Sequence, residues 1–421
     1  MAGHSPKTKT LIARGLGRAY GDSAVNDQGA VFEQRGLSSF IAFDADTGLL
    51  ECEAGVSLAD IIDAFLPRGW FLPTTPGTKY VTIGGAIAAD VHGKNHHRVG
   101  SFGEFVDDLW LMLASGEIVR CSRQEHADLF FATLGGMGLT GVIVTARVRL
   151  VRVPSAFVVV DSTKTTSLEE TLAVFERGDA MHEHSVAWVD CLARGQTLGR
   201  GVVMQGNWAD GADVGPRARE SPFHLPRKRR SRVPFVPPVT PLSRFTVRGF
   251  NACFYGQHVN GRRVIDCDTF FYPLDAIDHW NRLYGPRGFV QYQAFFPRDT
   301  SRAGLRELLT RIAEAGAASF LAVLKSCGDA DGGLLSYLEP GHTLALDLPY
   351  HPRTTPALCR DLDAILLRHG GRLYLAKDAL TDAATFRAMY PRLPEFQRIK
   401  QRVDPDCRFS SSQARRLGIV P

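Results

Sequence analysis

Two glycine-rich segments carry the residue types best suited to chemistry. The first is Arg14-Gly15-Leu16-Gly17-Arg18-Ala19-Tyr20-Gly21-Asp22-Ser23. Glycines in such a loop let the backbone take positive φ and aim successive N–H groups at an anion, which is how loops bind pyrophosphate. A Rossmann reading fits poorly, because the spacing is not G-x-G-x-x-G and the helical run and acidic residue that should follow are missing. The second segment is PTTPGTKYVTIGGAIAADVHGKNHH, residues 73–97. Its Pro76-Gly77, and then Gly84-Gly85 followed by small residues, permit very close approach of backbone to a flat or phosphorylated ligand. His92, His96 and His97 supply imidazoles, but no nearby carboxylate or thiol shows regular ligand spacing, so no metal is expected. Farther along, Gln291 and Gln293 alternate with Tyr292, which in a strand turns both amides to one side. That is suitable for a sugar-binding face.

These loops need a scaffold, and the pattern around them supplies one. Residues 8–153 read as short strand-like runs punctuated by glycine. A strand is expected at 49–53, a helix capped by Ser57 through Leu66, and a hairpin of 109–113 with 118–121 about Ser115-Gly116. Alternation over 142–151 predicts a strand with one buried face. The uncharged stretch 129–146 holds four Gly and three Thr, which reads as a glycine-rich turn feeding a strand, not a membrane span. Beyond it, 252–255, 269–272, 291–296, 321–325 and 343–348 read as strands, and 302–315 and 356–369 as helices. This predicts two α+β domains, the second with a substantial sheet.

Between them the composition shifts. Seven Pro lie between 216 and 241 and seven Lys/Arg between 217 and 232. Such a stretch buries little apolar area, so a mobile insertion near 210–245 is expected, with attraction to an anionic surface such as a phospholipid headgroup layer as its functional reading.

The chain has 421 residues, 49 Lys+Arg against 44 Asp+Glu, and 44% hydrophobic residues. That excludes disorder as the main state and disfavours a sequence-reading nucleic-acid binder. Eight scattered cysteines without a C-x-x-C pair read as reduced core thiols in a cytosolic chain. The N-terminal segment has no apolar h-region, so no secretory signal is expected.

Taken together the two glycine segments resemble the dinucleotide loops of the vanillyl-alcohol-oxidase type of flavoprotein. Within that superfamily the likeness is to the decaprenylphosphoryl-β-D-ribose 2-oxidase family, and it runs over nearly the whole chain. Its carriers are GLGRAYGD (15–22), PGTKYVTIGGAIAADVHGKNHH (76–97), GSFGEF (100–105), GGMGLTGVI (135–143), WNRLYGPRGFVQYQ (280–293), GGRLYLAKD (370–378) and FRAMYPRLPEF (386–396). The resemblance implies a two-domain α+β flavoprotein: an FAD-binding domain of that type over 1–155, a substrate-binding domain with a mainly antiparallel sheet over 156–371, and a return to the FAD-binding domain over 372–421. It implies noncovalent FAD. Members that tether the flavin from the first loop use a histidine there, and this loop offers Arg18-Ala19-Tyr20 instead, which leaves His92 as the formal alternative.

The resemblance assigns FAD contacts to Arg14 through Ser23, to Gly77, to Thr82, Ile83, Gly84 and Gly85, to His92, Gly93, Lys94 and Asn95, to Ile143 and to Tyr374. It places Gln293 and Lys325 at the substrate phosphate or sugar, with Gln291 beside them, Tyr20 beside flavin and sugar, and Trp188 and Phe271 in the apolar wall. The implied reaction oxidises the 2-hydroxyl of a polyprenyl-phosphate-linked ribose to the 2-keto sugar, the first half of epimerisation to the arabinose form. A short-chain reductase partner would complete it. Lys377, in YLAKD, is the first choice for the group that takes or stabilises the hydroxyl proton, because a desolvated lysine has a lowered pKa.

Two departures from the family pattern stand out. Ala345 occupies the place of a cysteine that nitroaromatic inhibitors of such enzymes trap. Ala322 is expected to replace an asparagine at the substrate, which bears on substrate choice. Rival readings are a flavin oxidase of another pentose, an aldonolactone or a nucleoside, and a flavin-binding or scaffold protein without turnover. The expected location is cytoplasmic, peripheral at the inner membrane face.

Overall fold

Ser57 starts the first helix by a reciprocal cap. Its Oγ accepts from Asp60 N (3.1 Å), and the Asp60 carboxylate accepts from Ser57 N (3.0 Å), which satisfies two otherwise orphaned donors. Helix α1 (Leu58–Phe65) then buries Leu58, Ile61, Ile62 and Phe65 on one face. These details come from a computed structural model that describes residues 10–225, 228–317, 319–330 and 332–420.

Helix α1 belongs to a unit built on a five-stranded antiparallel sheet. Its strands are β1 (Phe40–Phe43), β2 (Leu49–Glu53), β3 (Val106–Met112), β4 (Ile118–Ser122) and β5 (Val142–Arg149), in the order β1-β2-β5-β3-β4. The expected hairpin about Ser115-Gly116 is present, with Leu113 N–H completing it by donating to Glu117 O. Helix α2 (Ile83–Ala88) is short. Thr82 caps it by accepting from Gly85 N.

A second, eight-stranded antiparallel sheet follows. It comprises β6 (Phe157–Thr165), β7 (His184–Val189), β8 (Gly201–Trp208), β9 (Gly261–Asp266), β10 (Phe289–Pro297), β11 (Ala322–Cys327), β12 (Gly341–Pro349) and β13 (Arg372–Leu373), in the order β9-β6-β8-β7-β11-β12-β10-β13. One face carries helices. Gly304 of α3 (Arg298–Ala315) lets that helix press directly on the Phe296 ring, and Asp363 of α4 (Thr355–Arg368) accepts from Tyr292 Oη at 2.8 Å. Side chains of paired residues share a face, so Gln291, Gln293, Thr343, Ala345, Asp347 and Lys325 all lie on the other side. That second face looks toward the glycine loops.

Two sequence-based strands prove to be helical. Residues 252–255 lie inside a helix we denote by its bounds, Arg244–Gln257, and 269–272 begin in Cys267–Phe271. In each case an upstream cap overrides the β-propensity of a short aromatic run: Ser243 accepts from Thr246 N, and Asp266 accepts from Thr269 N. Within 210–245 the described residues include a short helix, Pro216–Glu220, and a two-residue strand, Ser231–Arg232, paired with Ile277–Asp278.

The chain closes on its own beginning. Leu11 N donates to Arg408 O and Ser410 N to Leu11 O, so the strand entering the first glycine loop is held by residues near position 409.

Candidate active site

The first glycine loop lies between α2 and the turn that carries Lys377. A side chain on Gly15 would collide with Thr82, and one on Gly21 would fall on the Asp378 carbonyl. Gly17 takes φ +61° over the folded Arg14 side chain, a conformation that costs glycine little. Within Gly15–Ser23, Tyr20 alone donates its backbone N–H to a described residue, Ala376 O at 2.9 Å. The remaining N–H groups are available to an anion, as pyrophosphate binding requires. Arg18 is held by Tyr80 O (3.2 Å), and Ser23 is buried.

The second loop contributes shape more than donors. Space is open where a Cβ on Gly77 would stand, whereas the N–H groups of Ile83, Gly84 and Gly85 already bond Val56 O, Ala54 O and Thr82 Oγ1. Ile83 and Gly84 face the core, and Ile143 is core as well, its carbonyl accepting from Gln34 Nε2 at 2.7 Å. Asn95 braces the loop through Pro73 O and Thr74 Oγ1. That brace leaves no room for a side chain at Gly93.

His92 is the point where the two units meet. Its Nε2 lies 3.0 Å from Gln293 Nε2, its ring packs on Tyr374 (5.1 Å between centroids), and its buried Nδ1 has no hydrogen-bond partner among the described residues. Burial, with Lys325, His96 and Lys377 nearby, holds its pKa well below the ordinary histidine value, so it is neutral at physiological pH. Tyr374 donates to Ala89 O and stacks on Tyr337.

Two lysines face this point from the sheet and from the C-terminal turn. Among the described residues neither the Lys325 nor the Lys377 ammonium has a hydrogen-bonded or ion-paired partner. Burial lowers Lys325 to about 8. Lys377 is likewise pushed down by burial, opposed by the Asp347 carboxylate and reinforced by Lys325. Its ammonium nitrogen sits 3.8 Å from the centroid of the Tyr20 ring. Asp347 is fully buried; burial raises its carboxyl, while Gln291, Lys377 and Tyr284 pull it back. It accepts from Gln291 Nε2 and from Tyr284 Oη.

Other expected site residues are placed at the edges. Trp188 is buried, donates Nε1–H to Phe320 O (3.1 Å) and packs on Phe254. Phe271 stacks on Phe71 and meets His184 edge-on. Lys94 turns its ammonium to the Phe270 carbonyl and ring, and burial lowers it to about 7. Its charge therefore serves the apolar wall instead of the glycine loops. Ala322 pairs with Leu346 on the helix-covered face, so the expectation that it removes a substrate hydrogen bond is corrected. Ala345, paired with Gln293 and half-buried, does face the site.

Sequence reasoning missed Arg416, which ties the first glycine loop to the turn that follows Lys377. Its guanidinium grips Asp22 through Nη2 and Nε (2.6 and 3.2 Å), reaches Asp378 Oδ2 at 2.9 Å and donates to Thr381 O at 2.6 Å. Nothing in its local pattern, SSSQARRLG, distinguishes it from a surface arginine. Among the described residues no cluster of three or more His, Cys, Asp or Glu is arranged for a metal, and no helix is long and apolar enough to cross a membrane.

A bare-backbone cradle set against a cationic, amide-lined sheet face suits an FAD-dependent oxidoreductase acting on an alcohol. Comparison with known proteins bears this out. The FAD binding domain model matches residues 6–122, and that of D-arabinono-1,4-lactone oxidase matches 294–417. The chain is 38% identical to the decaprenylphosphoryl-β-D-ribose oxidase of Mycolicibacterium smegmatis over 97% of its own length and 89% of that protein's. It is 34% identical to an uncharacterized Streptomyces coelicolor protein over 86% of this chain and the whole of the other. A shorter likeness, 29% over 27% of this chain and 22% of the relative, links it to human Delta(24)-sterol reductase. The chain belongs to the decaprenylphosphoryl-β-D-ribose oxidase family, and its cofactor is FAD.

Proposed function

We propose that this protein oxidises the 2-hydroxyl of a ribose carried on a polyprenyl phosphate, giving the 2-keto sugar, with FAD bound noncovalently. The observation that carries this reading is the convergence of Lys377, from the C-terminal turn, on the sheet face that carries Lys325 and the Gln291 and Gln293 amides, neither ammonium having a hydrogen-bonded or ion-paired partner among the described residues. A phosphate needs the cations and a pentose needs the amides. Residues 1–155 and 372–421 would hold the cofactor, and 156–371 the substrate.

FAD supplies, when bound, a two-electron acceptor for the hydrogen on the sugar carbon. The side chains do the rest. Lys377, as the free amine, takes the hydroxyl proton; Asp347 and Lys325 set how readily it does so; Gln293, held by His92, orients the sugar. Tyr20 forms the floor beneath the lysine. A short-chain reductase would return hydride to the keto product, completing epimerisation to the arabinose form. Such a substrate also places the protein at the cytoplasmic face of a membrane.

The test is anaerobic mixing of the yellow protein with a polyprenyl-phosphoryl ribose. Loss of the flavin absorbance is expected. No bleaching with any lipid-linked pentose would overturn the oxidase reading in favour of a flavin-binding protein without turnover. Faster bleaching by a free aldonolactone, pentose or nucleoside would favour the second reading, to which the lactone-oxidase match over 294–417 gives weight.

A further inference from the structure

Helix Arg244–Gln257 is nearly bare: of its fourteen residues only Val247 and Asn251 are buried. Phe245 on its outer side is 82% exposed, and Phe250 is 45% exposed. The segment leading into it is similar, with Phe235 66% and Val239 78% exposed. A globular protein rarely leaves this many large apolar groups together in water without a use for them.

The same stretch is strongly basic. From residue 221 to 265 there are nine Lys/Arg and no Asp or Glu, whereas the rest of the chain carries 40 against 44. Arg229, Arg232, Arg244 and Arg248 have no ion-pair partner among the described residues. Apolar side chains ringed by free guanidiniums suit the boundary between acyl chains and anionic headgroups.

The patch also continues into the active site. Phe254 packs on Trp188, and Phe250 and Tyr284 both pack on Phe320. Tyr284 in turn donates to Asp347, while Arg282 and Leu283 hold the 233–240 segment through its backbone and Thr240. We infer that helix Arg244–Gln257 and the adjoining 229–240 segment form a docking surface for an anionic lipid bilayer, laid against the mouth of the substrate site. The inference rests on the lipid-linked-substrate reading: a tail of that kind enters the site from the bilayer without crossing water.

The flavin-loaded protein is to be sedimented with vesicles of phosphatidylcholine alone, or of phosphatidylcholine with phosphatidylglycerol, at low and high salt. Binding is expected to the anionic vesicles and to fall as salt rises. The variant Arg244→Gln/Arg248→Gln/Phe245→Ser should bind at least about tenfold more weakly while keeping its flavin and its reduction by a short-tailed, water-soluble substrate. Should that helix lose its structure, Phe235→Ser/Val239→Ser, outside it, is expected to weaken binding in the same direction. Wild-type protein left in the supernatant, or variants that bind as wild type does, would overturn the inference. Bleaching without vesicle binding sinks the surface alone; vesicle binding without bleaching supports the surface and sinks the substrate reading.

Discussion

The Lys377 ammonium nitrogen stands 3.8 Å above the centre of the Tyr20 ring, so the proposed proton acceptor and the first glycine loop are in direct contact. The ring face favours the charged form of the lysine, while burial and Lys325 disfavour it and the Asp347 carboxylate favours it. The balance leaves Lys377 well below the ordinary lysine range, within reach of neutral pH.

If Lys377 works as the amine, flavin reduction should rise with pH across the neutral range and then level off. Lys377→Ala is expected to retain FAD and lose at least about a hundredfold in the reductive half-reaction. Lys377→Arg, which keeps the charge but cannot give up a proton, should be equally impaired. Stopped-flow bleaching checks all three. An active arginine variant would mean that the cation, not the base, is what matters.

Phosphate recognition should carry the opposite pH dependence. Lys325, at about 8 in the folded protein against ~10.4 in an unfolded chain, binds its proton later than the unfolded chain does. Its contribution to stability is therefore lost as pH falls through that window, and an anionic ligand that restores the charge must bring a proton with it. Affinity for a short prenyl phosphate is expected to hold below pH 8 and to weaken by up to about tenfold per unit above it. Titrations at pH 7 and 9 decide this, and Lys325→Gln should flatten the dependence.

Ala345 lies beside Gln293 on the site face, where a thiol would meet a bound inhibitor. The wild-type protein should form no stable adduct with a nitroaromatic inhibitor of the family, since Cys327 on the same face is wholly buried and its thiol is pushed up to about 12. Ala345→Cys should capture it. Intact-protein mass spectrometry on both forms is the measurement, and an adduct on the wild type would contradict the assignment.

Arg416 holds Asp22 and Asp378 together. Its loss would leave the buried Asp378 without its cation, at a cost of about 3 kcal/mol. Arg416→Gln is expected to lower the melting temperature and to release FAD more readily, with Arg416→Lys recovering little because it cannot bridge both carboxylates. Unchanged flavin retention would show that the clamp is structural only.

Much of this site is legible in sequence because its parts are local. Glycine spacing marks the first loop, and the period of two in Gln291-Tyr292-Gln293 turns both amides to one face. Strand β2 and helix α1 follow from alternation and a Ser57 cap. What could not be read is set by register and long-range pairing. That Ala322 faces the helices while Ala345 faces the site depends on how β11 and β12 align. Arg416 gains its meaning only when residue 22 is brought beside it. The misread runs at 252–255 and 269–272 failed because caps upstream outweigh four residues of aromatic propensity.

The Asp22–Arg416 pair also sets an order of events in synthesis. Its members are 394 residues apart. At ordinary ribosomal rates the glycine loop emerges roughly 20–80 s before the arginine that braces it. Firm flavin capture is then expected to be a late step, and a chain cut short of Arg416 is expected to hold FAD less tightly however well its sheets had formed.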